Sequence, residues 1–276
     1  MRKVLTAICA FLLAFFVFLT ATAAVAYATL LNPDFMVQVL SKQGFTDQIY
    51  AEYAHQLEYL AEPAGVDAQM LKDTIGKAEM AQTLRQTVYY AYDQNHPKAA
   101  ALNTESVRTR FVMQLTKYAE GQGYAIEEEV QAGIDNIANL AVGEYCKYAT
   151  LPFMSQIGGF FNSVKNVVTL ALWAGLGITV VLALCLFLGK GRPVALKWSG
   201  LVWALSGAGL LSGVWSVAVL LFGKLEYLNV QIKSLYLFMQ GYIKDILIVF
   251  MVVGGVLLLA ALLVYFLLYR PQSKKA

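Results

Sequence analysis

Residues 166–189 read NVVTLALWAGLGITVVLALCLFLG, 24 consecutive positions without an Asp, Glu, Lys, Arg or His. A helix needs about 20 predominantly apolar residues to cross a hydrocarbon layer about 30 Å thick. Three further stretches are equally free of ionisable side chains: Val4–Pro33 (30 residues), Trp198–Gly223 (26) and Ile246–Tyr269 (24). All 39 charged residues of the 276-residue chain therefore fall in the other 172 positions, which are 23% charged. That is close to the average of about 25% for soluble proteins. The overall figures, 58% hydrophobic and 14% charged, are thus the mean of two populations. They exclude an ordinary cytosolic enzyme and a disordered chain. The net charge of +3 is too small to suggest a polyanion partner, so no nucleic acid is expected.

The first segment has two readings. Met1-Arg2-Lys3 before an apolar run resembles a signal peptide, and Ala21-Thr22-Ala23, Ala24-Val25-Ala26 and Ala26-Tyr27-Ala28 resemble cleavage sites. The run continues to Leu31, past the usual signal core of about 7–15 residues. Thr20, Ala24 and Ala28 also recur at the spacing of a small-residue packing stripe. A retained signal-anchor over 4–31 is the favoured reading, and a cleaved signal peptide is the alternative.

Orientation follows from the basic residues, which collect on the cytoplasmic side of membrane proteins. Arg2 and Lys3, then Lys190, Arg192 and Lys197, then Arg270, Lys274 and Lys275 flank the spans with no acidic residue among them. Residues 32–163 instead hold nine basic and sixteen acidic residues, a net of −7. The expected fold is an all-α integral plasma-membrane protein. Four transmembrane helices (4–31, 166–189, 198–223, 246–269) carry an all-helical extracytoplasmic domain, 32–163, inserted between the first and second. A loop at 190–197 and a tail at 270–276 are cytoplasmic, so both termini are.

Within 32–163 the periodicity is helical and predicts five helices packed as a bundle. Asn32-Pro33-Asp34 starts the first and Gly44 ends it. Ile49, Tyr53, Leu57 and Leu60 share a face until Glu62-Pro63-Ala64-Gly65. One long helix is expected over 67–93, with Leu71, Ile75, Leu84, Val88 and Tyr92 inward. Asn103 or Thr104 caps the next, and the last carries Val130, Ile134, Ile137, Ala141, Tyr145 and Tyr148 on one stripe. Ten tyrosines lie in this domain. Tyrosine packs a small core while its hydroxyl reaches water; an aromatic surface for a peptide, glycan or lipid is the sharper alternative. Residues 224–245 form an extracytoplasmic amphipathic segment, whose Leu225, Leu228, Ile232, Leu235, Met239 and Tyr242 make a heptad-like seam. That seam suits a helix docked on the domain or lying in the interface.

No catalytic or nucleotide-binding motif stands in the chain. Cys9, Cys146 and Cys185 are too few and too scattered for a disulfide framework, and Cys146 without a basic activator reads as an inert core residue. Glu52-x-x-His55 has the i, i+3 spacing of carboxylate-bridged metal bundles, and Asp93-x-x-His96 echoes it. Glu52, His55 and His96 are therefore the weak metal candidates. Solvated histidines are the ordinary alternative, and His96 precedes Pro97, which disfavours helical geometry. Glu127-Glu128-Glu129 suits a helix's first turn. The spans carry no ionisable residue, which removes the usual mark of an ion pathway. Ala171, Gly175, Thr179 and Ala183, and Gly209-xxx-Gly213 with Ser206 and Ser216, are spaced for close helix contact. No cofactor or metal is expected.

LLNPDFMVQVLSKQGFTDQIYAEY (30–53), followed by LAEPAGVD (60–67), resembles uncharacterised multipass membrane proteins of Gram-positive bacteria. That likeness implies no activity. The order of one span, a large outside domain and three spans is also similar to mechanotransmission-type ABC transporter permeases, which would imply a cytoplasmic ATPase partner. Their outside domain is mixed α/β where this one reads helical, and the cytoplasmic parts here are short. The function expected is non-enzymatic: binding or organising, through the external domain, of a partner. The partners are the lipid bilayer and an envelope protein, or a second copy through small-residue helix faces. The alternatives are a transport or secretion component, working with an ATPase or as an oligomer, and a membrane enzyme acting on lipid or cell-wall substrates.

Overall fold

A computed structural model gives the fold and describes residues 2–42, 44–92, 103–150, 154–188, 194–223 and 233–269. Among these there is helix and no strand. In chain order the helices are α1 (Arg2–Ala28), α2 (Pro33–Lys42), α3 (Phe45–Ala64), α4 (Ala68–Thr74), α5 (Lys77–Tyr92), α6 (Thr104–Gly121), α7 (Glu128–Ala149), α8 (Met154–Leu188), α9 (Val194–Phe222) and α10 (Lys233–Val264), with a π-helical turn at Tyr265–Tyr269. Among the described residues four segments are long and apolar enough to cross a membrane: Thr6–Ala28, Gly158–Leu188, Leu196–Phe222 and Ser234–Leu268. The chain divides into two compact units. One holds Met1–Phe35, Ser163–Leu228 and Gln240–Ala276; the other holds Met36–Asn162 and Asn229–Met239.

Between residues 32 and 150, local chemistry sets the helix ends. The Asn32 side chain accepts from the Asp34 N–H at 3.0 Å as α2 begins. Asp67 and Asn103 do the same for α4 and α6, at 2.9 and 3.0 Å. Pro63 lies inside the last turn of α3, and the helix stops two residues later at Gly65. There φ is 63°, a left-handed value that glycine adopts without Cβ strain, and the Gly65 N–H closes onto the Glu62 carbonyl.

The long helix expected over 67–93 is two helices, so the described residues between Pro33 and Ala149 form six helices rather than five. Ile75 takes an extended backbone (φ −128°, ψ 106°) while staying fully buried, and Gly76 follows it. The reason is phase. Ile75 and Leu84 are nine residues apart, which on one uninterrupted helix places them about 180° apart. Breaking the chain at Ile75-Gly76 lets Leu71 and Ile75 point inward together with Met80, Leu84 and Val88. The α3 face is Phe45, Ile49, Tyr53, Leu57 and Ala61, Ala61 taking the place given to Leu60. On α7 the buried set is Ile134, Ala138, Ala141, Tyr145, Tyr148 and Ala149. Val130 and Ile137 are only half-buried.

Residues 233–245 are not a separate element: α10 runs through Lys244 and Asp245 without a break. Charge marks where a helix meets water, but only Gly, Pro or a cap ends it. The buried positions near its start are Ser234 and Phe238, followed by Gly241 and Tyr242. That face is rotated from the expected seam, since Leu235 and Met239 are half-buried; Leu225, Leu228 and Ile232 lie outside the described residues. Phe238 packs on Phe45 with ring centroids 5.1 Å apart.

In the apolar unit α1 lies along α9. Leu13 of α1, Leu186 of α8 and Ala204 of α9 form one buried cluster. Small residues set the separations, because helix backbones in lipid approach closely only where side chains are absent. A Cβ on Gly175 would lie 2.6 Å from Thr20 Oγ1, and one on Gly207 would lie 3.4 Å from the Ala14 Cβ. The expected stripe on α1 holds at Thr20 alone, since Ala24 and Ala28 are exposed while Ala23, Val25 and Thr29 are buried. The closest approach to the backbone of another helix in this unit joins α9 to α10. A Cβ on Gly254 would stand 2.7 Å from the Gly213 nitrogen and 2.9 Å from the Gly209 carbonyl oxygen.

Backbone atoms cannot step aside as a side chain can. Gly254→Ala should therefore force α9 and α10 apart, at a cost of about 1–3 kcal/mol. Its neighbour Gly255 meets nothing within 4 Å, so Gly255→Ala should leave stability unchanged. Thermal unfolding of the two variants in detergent tests the contact, and equal melting temperatures would refute it.

Candidate functional site

Glu52 and His55 both stand on α3, one turn apart, yet they serve different partners. The Glu52 carboxylate accepts two hydrogen bonds from Ser234, from its backbone N–H at 3.0 Å and its hydroxyl at 2.9 Å. Ser234 is fully buried and is the second residue of α10, whose first N–H groups have no carbonyl within the helix to bond. Glu52 thus caps a helix that begins 181 positions later in the chain. His55 is 59% exposed, its Nδ1 lies 3.3 Å from Glu58 Oε2, and its ring stacks on Tyr59 at 4.7 Å. The hydrogen bond and charge of Lys72 hold the Glu58 carboxyl below its ordinary range, His55 adding to the effect. His96, the third metal candidate, lies outside the described residues. Among the described residues no group of three or more His, Cys, Asp or Glu is placed to hold a metal ion.

What the fold brings together instead is a part-buried polar cluster where α3, α5, α6 and α7 meet. Tyr53 of α3 is completely buried, its ring 6.0 Å from Tyr145 and 6.4 Å from Tyr148 of α7. The Tyr145 hydroxyl pairs with Thr83 Oγ1 of α5 at 2.8 Å. Beside them the Arg110 guanidinium of α6 donates in fork fashion to both oxygens of Glu79 on α5. Burial pushes the Tyr53 phenol far up, and the neighbouring Tyr145 and Tyr50 push the same way. Burial also raises Tyr145, against the Thr83 hydrogen bond, and raises Tyr148. The Glu79 hydrogen bond raises Arg110, which stays charged.

These directions decide the chemistry. Phenols held protonated are neither bases nor nucleophiles near neutral pH, and the Glu79 carboxylate is occupied by Arg110. Burial likewise raises the Cys146 thiol, which keeps it protonated and inert as a nucleophile. The cluster is a polar core that fixes how α3, α5, α6 and α7 meet. Periodicity places Tyr53 and Tyr145 inward, but nothing in the sequence pairs Glu79 with Arg110 or Glu52 with Ser234.

The outer surface differs. Tyr59, Tyr89, Tyr90 and Tyr124 are exposed, Tyr124 by 64%. The ten tyrosines therefore divide between a core role and an aromatic surface. No family model, no curated protein and no solved structure matches the chain.

The core hydroxyls give opposed predictions. Tyr53 Oη has no hydrogen-bond partner among the described residues, so Tyr53→Phe should be neutral or stabilising. Tyr145→Phe strands Thr83 and should destabilise by about 1 kcal/mol; chemical denaturation of both variants tests the difference. The pH dependence follows from the same burial. A phenol with a raised folded value contributes its full stability below its unfolded value of about 10. That contribution is lost as pH rises above this toward the folded value, because only the unfolded chain ionises there. Alkaline unfolding should begin above about pH 10 and start at higher pH in Tyr53→Phe, read by tyrosinate absorbance against helical circular dichroism.

Proposed function

We propose that this chain is a multipass plasma-membrane protein with both ends in the cytoplasm, and that its acidic helical unit lies outside the membrane and binds or organises a protein partner of the envelope. The observation that carries the reading is the partition of charge. Eight basic residues and no acidic ones flank the spans at 2–3, 190–197 and 270–275, against a net of −7 over 32–163. Four helices of membrane-spanning length and composition support the setting. Trp198 and Tyr265 stand near the basic termini of the spans, and Tyr27 near the opposite end of α1. Aromatic side chains of this kind collect at membrane–water interfaces. Packing of Leu13 and Val25 at 1% and 2% exposure supports retention of α1 as an anchor.

The binding role is supported by the exposed tyrosines. Rigid amphipathic rings supply contact area at little entropic cost, and interfaces are enriched in them. Tyr59, stacked on His55 and 59% exposed, is already held in one orientation.

One experiment separates the two parts of this reading. With Cys9, Cys146 and Cys185 changed to Ser, Tyr124→Cys is treated on intact cells with a membrane-impermeant thiol reagent carrying a photocrosslinker. Labelling without permeabilisation and a discrete crosslinked adduct are the expected results. Labelling only after permeabilisation overturns the topology; labelling without an adduct overturns the binding role.

A further inference from the structure

We propose that the groove between α1 and α9 binds an anionic phospholipid, with one acyl chain in the groove and the phosphate at its Thr6–Leu196 end. The groove has a volume of about 450 Å³, within the range of roughly 300–1,000 Å³ typical of small-ligand clefts. Its floor is made by side chains too small to fill it: Ala7, Ala10 and Ala14 on α1, Gly200 and Gly207 on α9. Phe11 and Trp203 form its rims and stand 71% and 73% exposed. Atoms lining an unfilled apolar groove lose their dispersion contacts on one side, and within a bilayer the molecule at hand to restore them is an acyl chain.

Charge selects which lipid. Leu196 belongs to the first turn of α9 and Thr6 to the second turn of α1, so both helices turn their positive dipole ends toward this mouth. Arg2 and Lys3 lie one turn before Thr6, and Lys197 adjoins Leu196. Lys197 Nζ donates to the Phe187 carbonyl at the end of α8; an ammonium has three donors, which leaves two for a phosphate. The nearest acidic residues along the chain are Asp34 beyond the far end of α1 and, around α9, Glu144 and Glu226. A second groove of similar size, about 460 Å³ between α9 and α10, is lined by Gly209, Gly213, Gly254 and apolar side chains, without the hydroxyls that Thr6 and Ser199 bring to the first. It provides the comparison: equal room, no headgroup selection.

The test uses the full chain purified in detergent and supplied with phosphatidylglycerol or phosphatidylcholine, the lipid retained being counted by native mass spectrometry. Each basic residue near the headgroup should favour the anionic lipid by about fivefold. Ala7→Leu, at an exposed position, fills the groove and should abolish the preferential retention of phosphatidylglycerol, while Ala218→Leu in the other groove should not. Lys197→Gln should keep lipid bound but reduce the preference for phosphatidylglycerol. Should Ala7→Leu fail to fold, Trp203→Ala removes one wall from an exposed site and should give the same loss. Equal retention of the two lipids, wild-type retention by Ala7→Leu, or a two-chain species that Ala7→Leu dissociates would each overturn the proposal, the last by showing a second copy in the groove.

Discussion

The backbone approach of α9 to α10 is the contact on which the apolar unit depends. In hydrocarbon there is no hydrophobic force to gather helices, so packing must come from close contact. At Gly209 and Gly254 the absent Cβ atoms allow that contact, and one added carbon on either would stand within 3 Å of backbone atoms. The same helix buries Ala204, Ala208, Ser212 and Ser216 at spacings of four. α9 therefore carries two small-residue faces, and α1 and α10 use them. Several hydroxyls of this unit bond within their own segment, whereas Thr179 Oγ1 and Ser212 Oγ are buried without a partner among the described residues. Thr20, Thr22 and Thr29 each donate to the carbonyl four residues earlier, as does Ser216.

The polar unit solves the opposite problem. Its helices are amphipathic, so one buried stripe on each suffices to make a core, and the difficulty moves to the polar groups that packing encloses. Glu79 and Arg110 answer each other, as do Tyr145 and Thr83. Tyr53 Oη and Arg110 Nε are buried without a partner among the described residues. A core of this kind specifies a unique packing only as far as its polar atoms are satisfied. The raised phenols follow from that enclosure rather than from any task at a reacting centre.

What the sequence disclosed depended on the range of the interaction. Four membrane-length helices were legible from charge alone, because a run of 24 residues without an ionisable group is a strong local signal. Caps at Asn32, Asp67 and Asn103 act over two or three residues and were equally readable. The break at Ile75-Gly76 was half-legible: the glycine and the nine-residue step from Ile75 to Leu84 were both visible, but a spacing of four on either side suggested continuity. The face of α10 near its start was misread. Leu235 and Met239 are more apolar than Ser234, and burial of Ser234 is decided by Glu52, distant in sequence. The stripe Thr20, Ala24, Ala28 failed for a related reason. Small residues permit close packing without requiring it, and a helix with several such faces packs by the one its neighbours complement.

Glu52 shows why a spacing motif is weaker than the lone pairs it implies. With His55 one turn away it has the sequence appearance of a metal ligand, and on an isolated α3 both side chains would be free to converge on a cation. In the fold the carboxylate is turned to Ser234, whose N–H is buried at the start of a 32-residue helix. A metal taking those oxygens would leave that N–H unsatisfied, a cost of about 1–3 kcal/mol, and would gain His55 only by drawing it away from Glu58 and Tyr59. The carboxylate serves the structure better as a cap. The same residue that looked most like chemistry is therefore one of those that hold the unit's helices together.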